Sequence, residues 1–432
     1  MRLRDFHPNV RLRIYLGFFS SFLFNLVIPY MTIYFARELG ALAAGLALTT
    51  GVVLSLAAGF WSGYVSDRIG RKKLMVAAEL VFLGAYATLA LATSPAIDAP
   101  WVALAASIAA QVGWGVYGPA SDGMLLDVTS PESRKFMYSI FYWSNNLAIA
   151  LGGMIGAYLF SSHLTLMLLL LTGMTVVTAT LTAWRIGETH FPGAADAAAN
   201  ARDLFRSYGR VLRDRTFMWL CLANLLVLST EFHLGNYIGV RLADEFGTQS
   251  LFGAGEQAVR MDGVQMLGLL RTENTLFVVV FSLFAASVMR RLRDRHALYA
   301  GMFLYVAGYA FQMWSNSPWP LLVAMLLATW GEVINSPIRT AYHVSIVPDD
   351  ARGSYMAVDS LAHSGAMMFG TLAVSLGSLF SPEAMAAFTL ATGLGGVAIF
   401  AALMGKLEGR MEAGSQRKAT PVPTGASETA SR

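Results

Sequence analysis

Twelve stretches of this chain are apolar for close to the length that carries a helix across a bilayer, about 20 residues for a hydrocarbon core of about 30 Å. They run 14–35, 41–65, 74–94, 101–126, 137–160 and 164–186, then 216–241, 264–289, 298–315, 319–341, 353–379 and 384–405. A backbone in lipid must satisfy its own polar groups, and a run of this length does so as a helix. The pattern predicts an all-α membrane protein with 12 transmembrane helices. Only 13% of residues are charged, against about 25% in an ordinary soluble chain. The net charge of +4 does not point to nucleic acid, because the cations sit in short loops between apolar runs. The lone cysteine, Cys221, lies inside an apolar run and has no partner for a disulfide. The basic N-terminus leads into a long apolar stretch without the cleavage site of a signal peptide, so that stretch is the first membrane helix.

One substantial interruption, 187–215, divides the runs six and six. The expected organisation is an N-terminal bundle over 1–186, a middle loop over 187–215, a C-terminal bundle over 216–405, and a disordered polar tail over 406–432. Two loops recur in register. Gly63 to Arg68 is echoed by Met289 to Arg295, and Ser130 to Arg134 by Val347 to Gly353. Such a repeat predicts two pseudo-symmetric six-helix bundles. Arg68, Arg71, Lys72, Lys73, Arg134, Lys135, the 202–215 cluster, Arg290 to Arg295 and Arg352 fall on one side, and only Arg37, Arg241 and Arg260 on the other. The excess of cations makes the first side cytoplasmic, with both termini there.

Residues 61–73 read WSGYVSDRIGRKK between two apolar runs. Gly63 permits close helix contact and Gly70 a turn with positive φ. Asp67 caps the following helix or holds a basic partner. With Arg68, Arg71 and Lys72 it forms a candidate cytoplasmic gate, which Asp127 and Arg134 join either as a charge network or as separate helix caps. Glu79, Asp122, Arg339, His343, Asp359 and His363 lie toward the same side and read as gate or interface residues.

An ionisable side chain at the centre of a membrane helix costs about 2.5–3.5 kcal/mol on insertion scales, so each one needs a reason. Glu332 sits mid-run between Gly331 and Pro337, Glu231 lies mid-run beside His233, and Arg271, Glu273 and Asn274 form a third polar group. Arg271 and Glu273 stand two apart and do not face each other, so each needs a partner on another helix. A pair between Arg271 and Glu231 or Glu332 is expected. Two readings of the acids stand: inter-helix pairs that hold the bundle, or proton carriers in a cavity that Asn146 and Tyr142 also line. Tyr117, Trp143, Trp330, Met367, Met368 and Phe369 read as packed, lipid-facing or cavity-lining. No metal spacing, nucleophile triad or phosphate loop stands out, so no cofactor or metal is expected and an ion gradient must drive any transport.

The 61–73 segment resembles the signature loop between the second and third helices of the major facilitator superfamily. Within it, Tyr30–Tyr34, Ser66–Lys72, Asp127 with Arg134-Lys135, Tyr142-Trp143 with Asn146, and Gly331-Glu332-Val333 with Pro337 resemble the proton-driven multidrug antiporters of the LmrP type. That resemblance implies a conformational switch at Asp67 and Asp127, and proton coupling with cation binding at Glu332. The family's acid before the Tyr-Trp pair is Phe141 here, and its acid in the seventh helix is Gly235, with Glu231 one turn away on the same face. The expected function is efflux of lipophilic or cationic compounds against protons by a monomer of the plasma (inner) membrane. The rivals are a proton-coupled importer of a small metabolite and a non-transporting sensor, which the short middle loop and tail leave without an output domain.

Overall fold

A single residue separates the second and third helices. The computed structural model describes residues 3–189, 209–253, 255–289, 294–347 and 352–419. In it α2 (Ala41–Ile69) runs up to Gly70 and α3 (Arg71–Ala92) leaves from it, because Gly70 takes φ +100°. Most of the expected 61–73 loop is therefore helix. Gly40, at φ +82°, makes the same one-residue joint between α1 (Pro8–Leu39) and α2. Both angles are open to glycine and strained for other residues.

The N-terminal bundle continues with α4 (Pro100–Asp127) and α5 (Pro131–Arg185), and α5 breaks at His163, whose φ −133° and ψ 25° are not helical. Long enough for two crossings, α5 supplies both the fifth and the sixth. Prolines open α1, α4 and α5 where the missing N–H costs nothing, and the Ser130 hydroxyl caps α5 by accepting from Ser133 N. The C-terminal bundle begins with α6 (Arg215–Phe232), a π-helical turn (Leu234–Ile238) and α7 (Gly239–Glu245), which together make one crossing. It continues with α8 (Gly263–Met289), α9 (Asp294–Gln312), α10 (Pro318–Ser345), α11 (Arg352–Gly377) and α12 (Pro382–Ala419).

Helices within each bundle approach closely because their contact faces carry glycine. A Cβ at Gly331 of α10 would stand 2.5 Å from Gly301 O of α9, and one at Gly152 of α5 2.5 Å from Phe22 O of α1. Such backbone-to-backbone approach replaces the hydrophobic drive that lipid removes. Outward faces carry large exposed apolar side chains, with Trp101, Trp314 and Trp319 toward the Gly40 end and Trp184 and Trp219 toward the Gly70 end. Two aromatic belts of this kind mark the interfaces of a spanning protein.

The bundles meet along α2 with α11, α5 with α8, and α1 with α7. Their contacts gather toward the Gly40 end. Arg37 pairs with Asp244 at 3.2 Å and donates to Ala243 O at 2.6 Å, Ser375 Oγ donates to Leu42 O at 2.8 Å, and Thr49 meets Thr371 at 2.9 Å. Toward the Gly70 end, α2, α4 and α11 part around a cleft of ≈ 570 Å³ lined by Ser55, Gly59, Phe60, Pro119, Ser360 and Ser364.

Three details differ from the sequence reading. A two-stranded antiparallel hairpin, β1 (Gln249–Phe252) with β2 (Val259–Met261), joins α7 to α8 and is the only sheet among the described residues. Residues 406–419, expected as tail, extend α12, where Arg410 pairs with Asp214 at 3.0 Å and ties the helix to the start of α6. Gly187, Glu188 and Thr189, expected as loop, dock on the N-terminal bundle. The middle loop over 190–208, the 290–293 and 348–351 stretches of the repeated loops, and the tail from 420 lie outside the described residues.

Candidate functional site

Glu332 owes its position to the glycine beside it. Gly331 lets α10 press against α9, and the carboxylate one residue on faces a cavity of ≈ 560 Å³ between the bundles. Asn274 of α8 holds it, donating through Nδ2 to Glu332 Oε2 at 3.0 Å and to Thr329 Oγ1 at 3.1 Å. Glu231, near the end of α6, lines the same cavity and accepts from Tyr305 OH at 2.6 Å. The π-helical turn that follows brings Leu234, Gly235 and Asn236 into the wall, and the Asn236 amide bonds back to Phe232 O at 2.8 Å.

Arg271 takes a different partner from the expected one. It makes no ion pair with Glu231 or Glu332, and its Nη2 donates across the bundle boundary to Asn25 Oδ1 at 3.3 Å. Its guanidinium passes over Gly235, where a Cβ would stand 3.3 Å from Nη1. Each acid is thus held by a neutral donor, and the one cation in the cavity wall is held by a neutral acceptor.

Six of the seven residues assigned to the cavity line it: Glu332, Glu231, Arg271, Asn274, Asn146 and Tyr142. Glu273 does not. It stands two residues from Arg271 and points off that face, with its Oε2 buried and unbonded. Sequence reasoning passed over Asn25, Gln111, Trp114, Asn236, Tyr309 and Thr371 as cavity residues. Asn25 and Gln111 carried a readable signal, since a carboxamide mid-span also needs a reason. Of the aromatic candidates, Met367 lines the cavity beside Tyr142. Trp143 lines a lateral groove between α1, α5 and α8, Trp330 packs on Phe281 at 4.6 Å, and Tyr117 is buried beneath Arg13.

Of the residues expected to form a gate, Arg71 and Asp127 meet at the Gly70 end. Arg71 Nε pairs with Asp127 Oδ2 at 3.0 Å, and the Thr189 hydroxyl donates to the same oxygen at 2.9 Å. Glu188 caps α3, one of the two roles open to Asp67 from the sequence, accepting from Arg71 N at 3.0 Å and Lys72 N at 3.2 Å. A carboxylate there meets free N–H groups and the positive end of the helix. Arg134 donates to Leu126 O at 3.0 Å and so closes the end of α4, the capping alternative for this residue. Arg68 is exposed, and Gly63 and Asp67 lie in α2 with side-chain positions outside the described residues. Deeper in this bundle, Arg13 donates to Tyr117 OH and, at 2.7 Å, to Ser121 Oγ, while buried Glu79 accepts from Thr182 Oγ1 at 3.0 Å.

No group of three or more metal-ligating side chains occurs among the described residues. The arrangement is a sealed-at-one-end polar hollow between two bundles, and solved structures share the fold that forms it. A peptide-transporter-type (POT family) structure bound to 5-aminolevulinic acid superposes with a TM-score of 0.72 at 12% identity, covering 94% of this chain and 100% of that one. The nucleoside transporter NupG gives 0.70 at 10% identity, covering 92% and 100%. By sequence, the chain is 27% identical over 395 residues to a protein of Planococcus maritimus named "Na(+), Li(+), K(+)/H(+) antiporter", covering 88% of this chain and 92% of that protein. It is 24% identical over 358 residues to the multidrug resistance protein MdtH of Klebsiella pneumoniae, covering 82% and 81%. The family profile itself matches residues 14–255 and 242–430, and with that match the chain belongs to the Major Facilitator Superfamily.

Proposed function

We propose that this protein is a secondary active transporter of the plasma (inner) membrane, exporting lipophilic or cationic small molecules in exchange for protons by alternating access. The observation that carries this reading is the pair Glu231 and Glu332, two carboxylates in one inter-bundle cavity with no cation paired to either. A desolvated carboxylate is costly as a bare anion. It is relieved by a proton or by a cationic ligand, and a site that accepts one at a time is an exchanger. The two acids also lie within electrostatic range of each other, so the charge state of one bears on the other.

The cavity walls fit such cargo. Phe24, Trp114, Tyr142, Met31 and Met367 supply faces for a bulky apolar body, and ≈ 560 Å³ is drug-sized. The cation-rich loops put the Gly70 end in the cytoplasm. The conformation is then inward-facing, closed outside by Arg37–Asp244 and Thr49–Thr371. Switching would rock one bundle on the other, breaking these contacts and drawing the Gly70 ends together. The gate cluster at Asp127, Arg71 and Glu188 stands where that movement closes. This is the mode of the LmrP-type antiporters that the sequence resembles.

A second reading has its own support. The Planococcus maritimus relative is named for exchange of sodium, lithium and potassium with protons. Glu332 and Glu231 offer carboxylate oxygens to the same cavity, the hard ligand type that suits a small monovalent cation.

Proteoliposomes under an imposed pH gradient distinguish them. Tetraphenylphosphonium and ethidium should accumulate against the proton gradient with the wild-type protein and not with Glu332→Gln. Sodium or lithium exchange without movement of either organic cation would replace the drug reading by the second one. Full gradient-driven transport by Glu332→Gln would end both. Movement of a compound only in the direction of the proton would make the protein a symporter.

A further inference from the structure

Three polar side chains stand below Glu332 on the same stripe of α10, at i+3, i+7 and i+11: Asn335, Arg339 and His343. All three are buried, with exposures of 1%, 9% and 7%. Each has an atom with no hydrogen-bond partner: Asn335 Oδ1, Arg339 Nη1 and His343 Nε2. At the foot of the stripe Asp359 of α11 approaches His343 Nδ1 at 3.1 Å. None of the four lines the central cavity or the cleft below it. Buried polar atoms of native proteins are bonded to protein or to ordered water, and a lone orphan can be an accident of packing. Three in a row on one stripe, leading away from a membrane-buried carboxylate, are a pattern that a file of bridging waters would satisfy.

We propose that Asn335, Arg339 and His343, with Asp359, line a water-bridged proton path through the C-terminal bundle, connecting Glu332 to the Gly70 end separately from the substrate cavity. The path rests on the proton-coupling reading of Glu332 and gives it a route. From Glu332 to His343 the helix rises about 16 Å, with levels about 5–6 Å apart, a spacing that one or two waters bridge. Asp359 beside Nδ1 favours the tautomer with its proton there, which leaves the unpartnered Nε2 as the acceptor. The step balances without any co-reactant. The O–H bond of Glu332 breaks and its proton passes along water to His343 Nε2. The imidazolium then gives up its Nδ1 proton to Asp359, which is open to solvent on one side and hands it on. The neutral ring, now protonated at Nε2, regains its starting tautomer when water relays the Nε2 proton to Nδ1.

Arg339 is not a carrier, because a guanidinium does not release its proton. It lies within electrostatic range of both Glu332 and Tyr305. Its positive charge opposes any cation entering the file, so the route discharges Glu332 without leaking substrate. Among the described residues, the other titratable groups near the foot of the stripe are Asp214, held by Arg410 and Tyr355, and the buried neutral thiol of Cys221. Phe217 covers the outer side of the His343 ring. A separate route has a use in exchange. Cargo entering from the Gly70 end fills the hollow through which water would otherwise reach Glu332, and the displaced proton needs another way out.

The test is proton release from purified full-length protein in weakly buffered solution, followed by a pH dye in stopped flow. The protein is mixed with tetraphenylphosphonium and, separately, with sodium ion. His343→Gln should slow release by about tenfold or more with unchanged cation affinity and unchanged protons released per cation bound. Asp359→Asn should do the same and serves if the histidine variant does not fold. Exchange of solvent for D2O should slow the wild type more than His343→Gln, because only the former moves its proton along the file. Wild-type release rates in either folded variant overturn the path. Wild-type release in Glu332→Gln, or none from the wild-type protein with either cation, overturns the coupling reading itself.

Discussion

The two bundles furnish the central cavity with different chemistry. The N-terminal bundle contributes Phe24, Asn25, Tyr86, Gln111, Trp114, Tyr142 and Asn146, aromatic and amide side chains with no carboxylate or cation among them. The C-terminal bundle contributes Glu231, Arg271 and Glu332. At the Gly70 end the N-terminal bundle holds its own charges in a gate, Arg71 with Asp127 and Glu188 on the start of α3. A pseudo-repeat thus carries a division of labour. One half offers a neutral wall of rings and amides, and the other holds the groups that exchange charge in the proposed function. A wall of rings and amides takes many shapes at small cost, whereas a buried carboxylate tolerates few changes, so the halves should respond unequally to mutation.

The largest difference is expected across the cavity. Glu332→Gln should lower proton-driven transport by about two orders of magnitude while leaving the protein inserted and folded. Gln111→Ala, on the facing wall, should change affinity for individual compounds by about two- to tenfold, the worth of one hydrogen bond at about 0.5–1.5 kcal/mol. Transport against a pH gradient, measured for both variants with several compounds, checks the contrast. Equal loss of coupling in both would erase it.

The second contrast is between two arginines of the closed end. Arg241 is 3% exposed and donates to Gln312 O at 3.0 Å and Ser315 O at 2.6 Å, besides pairing with Glu245 at 3.3 Å. Arg241→Met leaves carbonyls and a carboxylate without their donor, and should cost about 3–5 kcal/mol. Arg37, exposed on the N-terminal side of the same closure, should cost about 1 kcal/mol or less on the same change. Thermal unfolding in detergent, followed by tryptophan fluorescence, separates the two.

Third comes the seam itself. A Cβ on Gly45 of α2 would stand 2.6 Å from Ser375 N and 2.9 Å from Thr371 O of α11. Gly45→Val should therefore oppose closure of the Gly40 end without touching the packing inside either bundle. Overpacking of about 1–3 kcal/mol corresponds to a population shift of about 5- to 150-fold away from the inward-facing state. Spin-label distances across the Gly40 end should lengthen in this variant and stay fixed in Gln111→Ala.

These contrasts also show what could be read from the chain. Helix count, bundle division and the main acids were legible because lipid forces apolar length and makes every buried charge conspicuous. The Gly70 joint was half legible. Glycine announced a turn, yet nothing local said that the turn would be one residue long. Who caps α3 was not legible, since Glu188 is 117 residues from Arg71 and only the packing of α3 on α5 brings them together. The partner of Arg271 was misjudged for a related reason. Charge complementarity points to an acid, but α8 sets the guanidinium over Gly235 and beside Asn25, and the acids had already found neutral donors nearer to hand. The buried stripe of α10 was visible only as scattered polar residues until the helix placed them in register.

Asp214 offers the smallest and sharpest test of the division, because it does for α6 what Glu188 does for α3. It caps α6 by accepting from Phe217 N at 3.2 Å and also receives Arg410 at 3.0 and 3.1 Å and Tyr355 OH at 3.1 Å. Burial pushes its carboxyl up, but the hydrogen bonds from Arg410 and from Phe217 N–H outweigh it and hold the group below its ordinary 3.8. A depressed native value means a contribution present in full above pH 3.8 and lost as pH falls through the native value. Asp214→Asn should thus lower stability by about 1 kcal/mol near neutrality, a cap and a partly exposed ion pair, with the gap to wild type closing only on the acid side. Coupling to protons at the cavity should be untouched, since Asp214 stands at the far end of its bundle from Glu332. An Asp214→Asn protein that transports with an altered pH profile between 6 and 8 (about neutral, where this carboxylate does not titrate) would mean that Asp214 itself takes part in coupling as well as in anchoring α12.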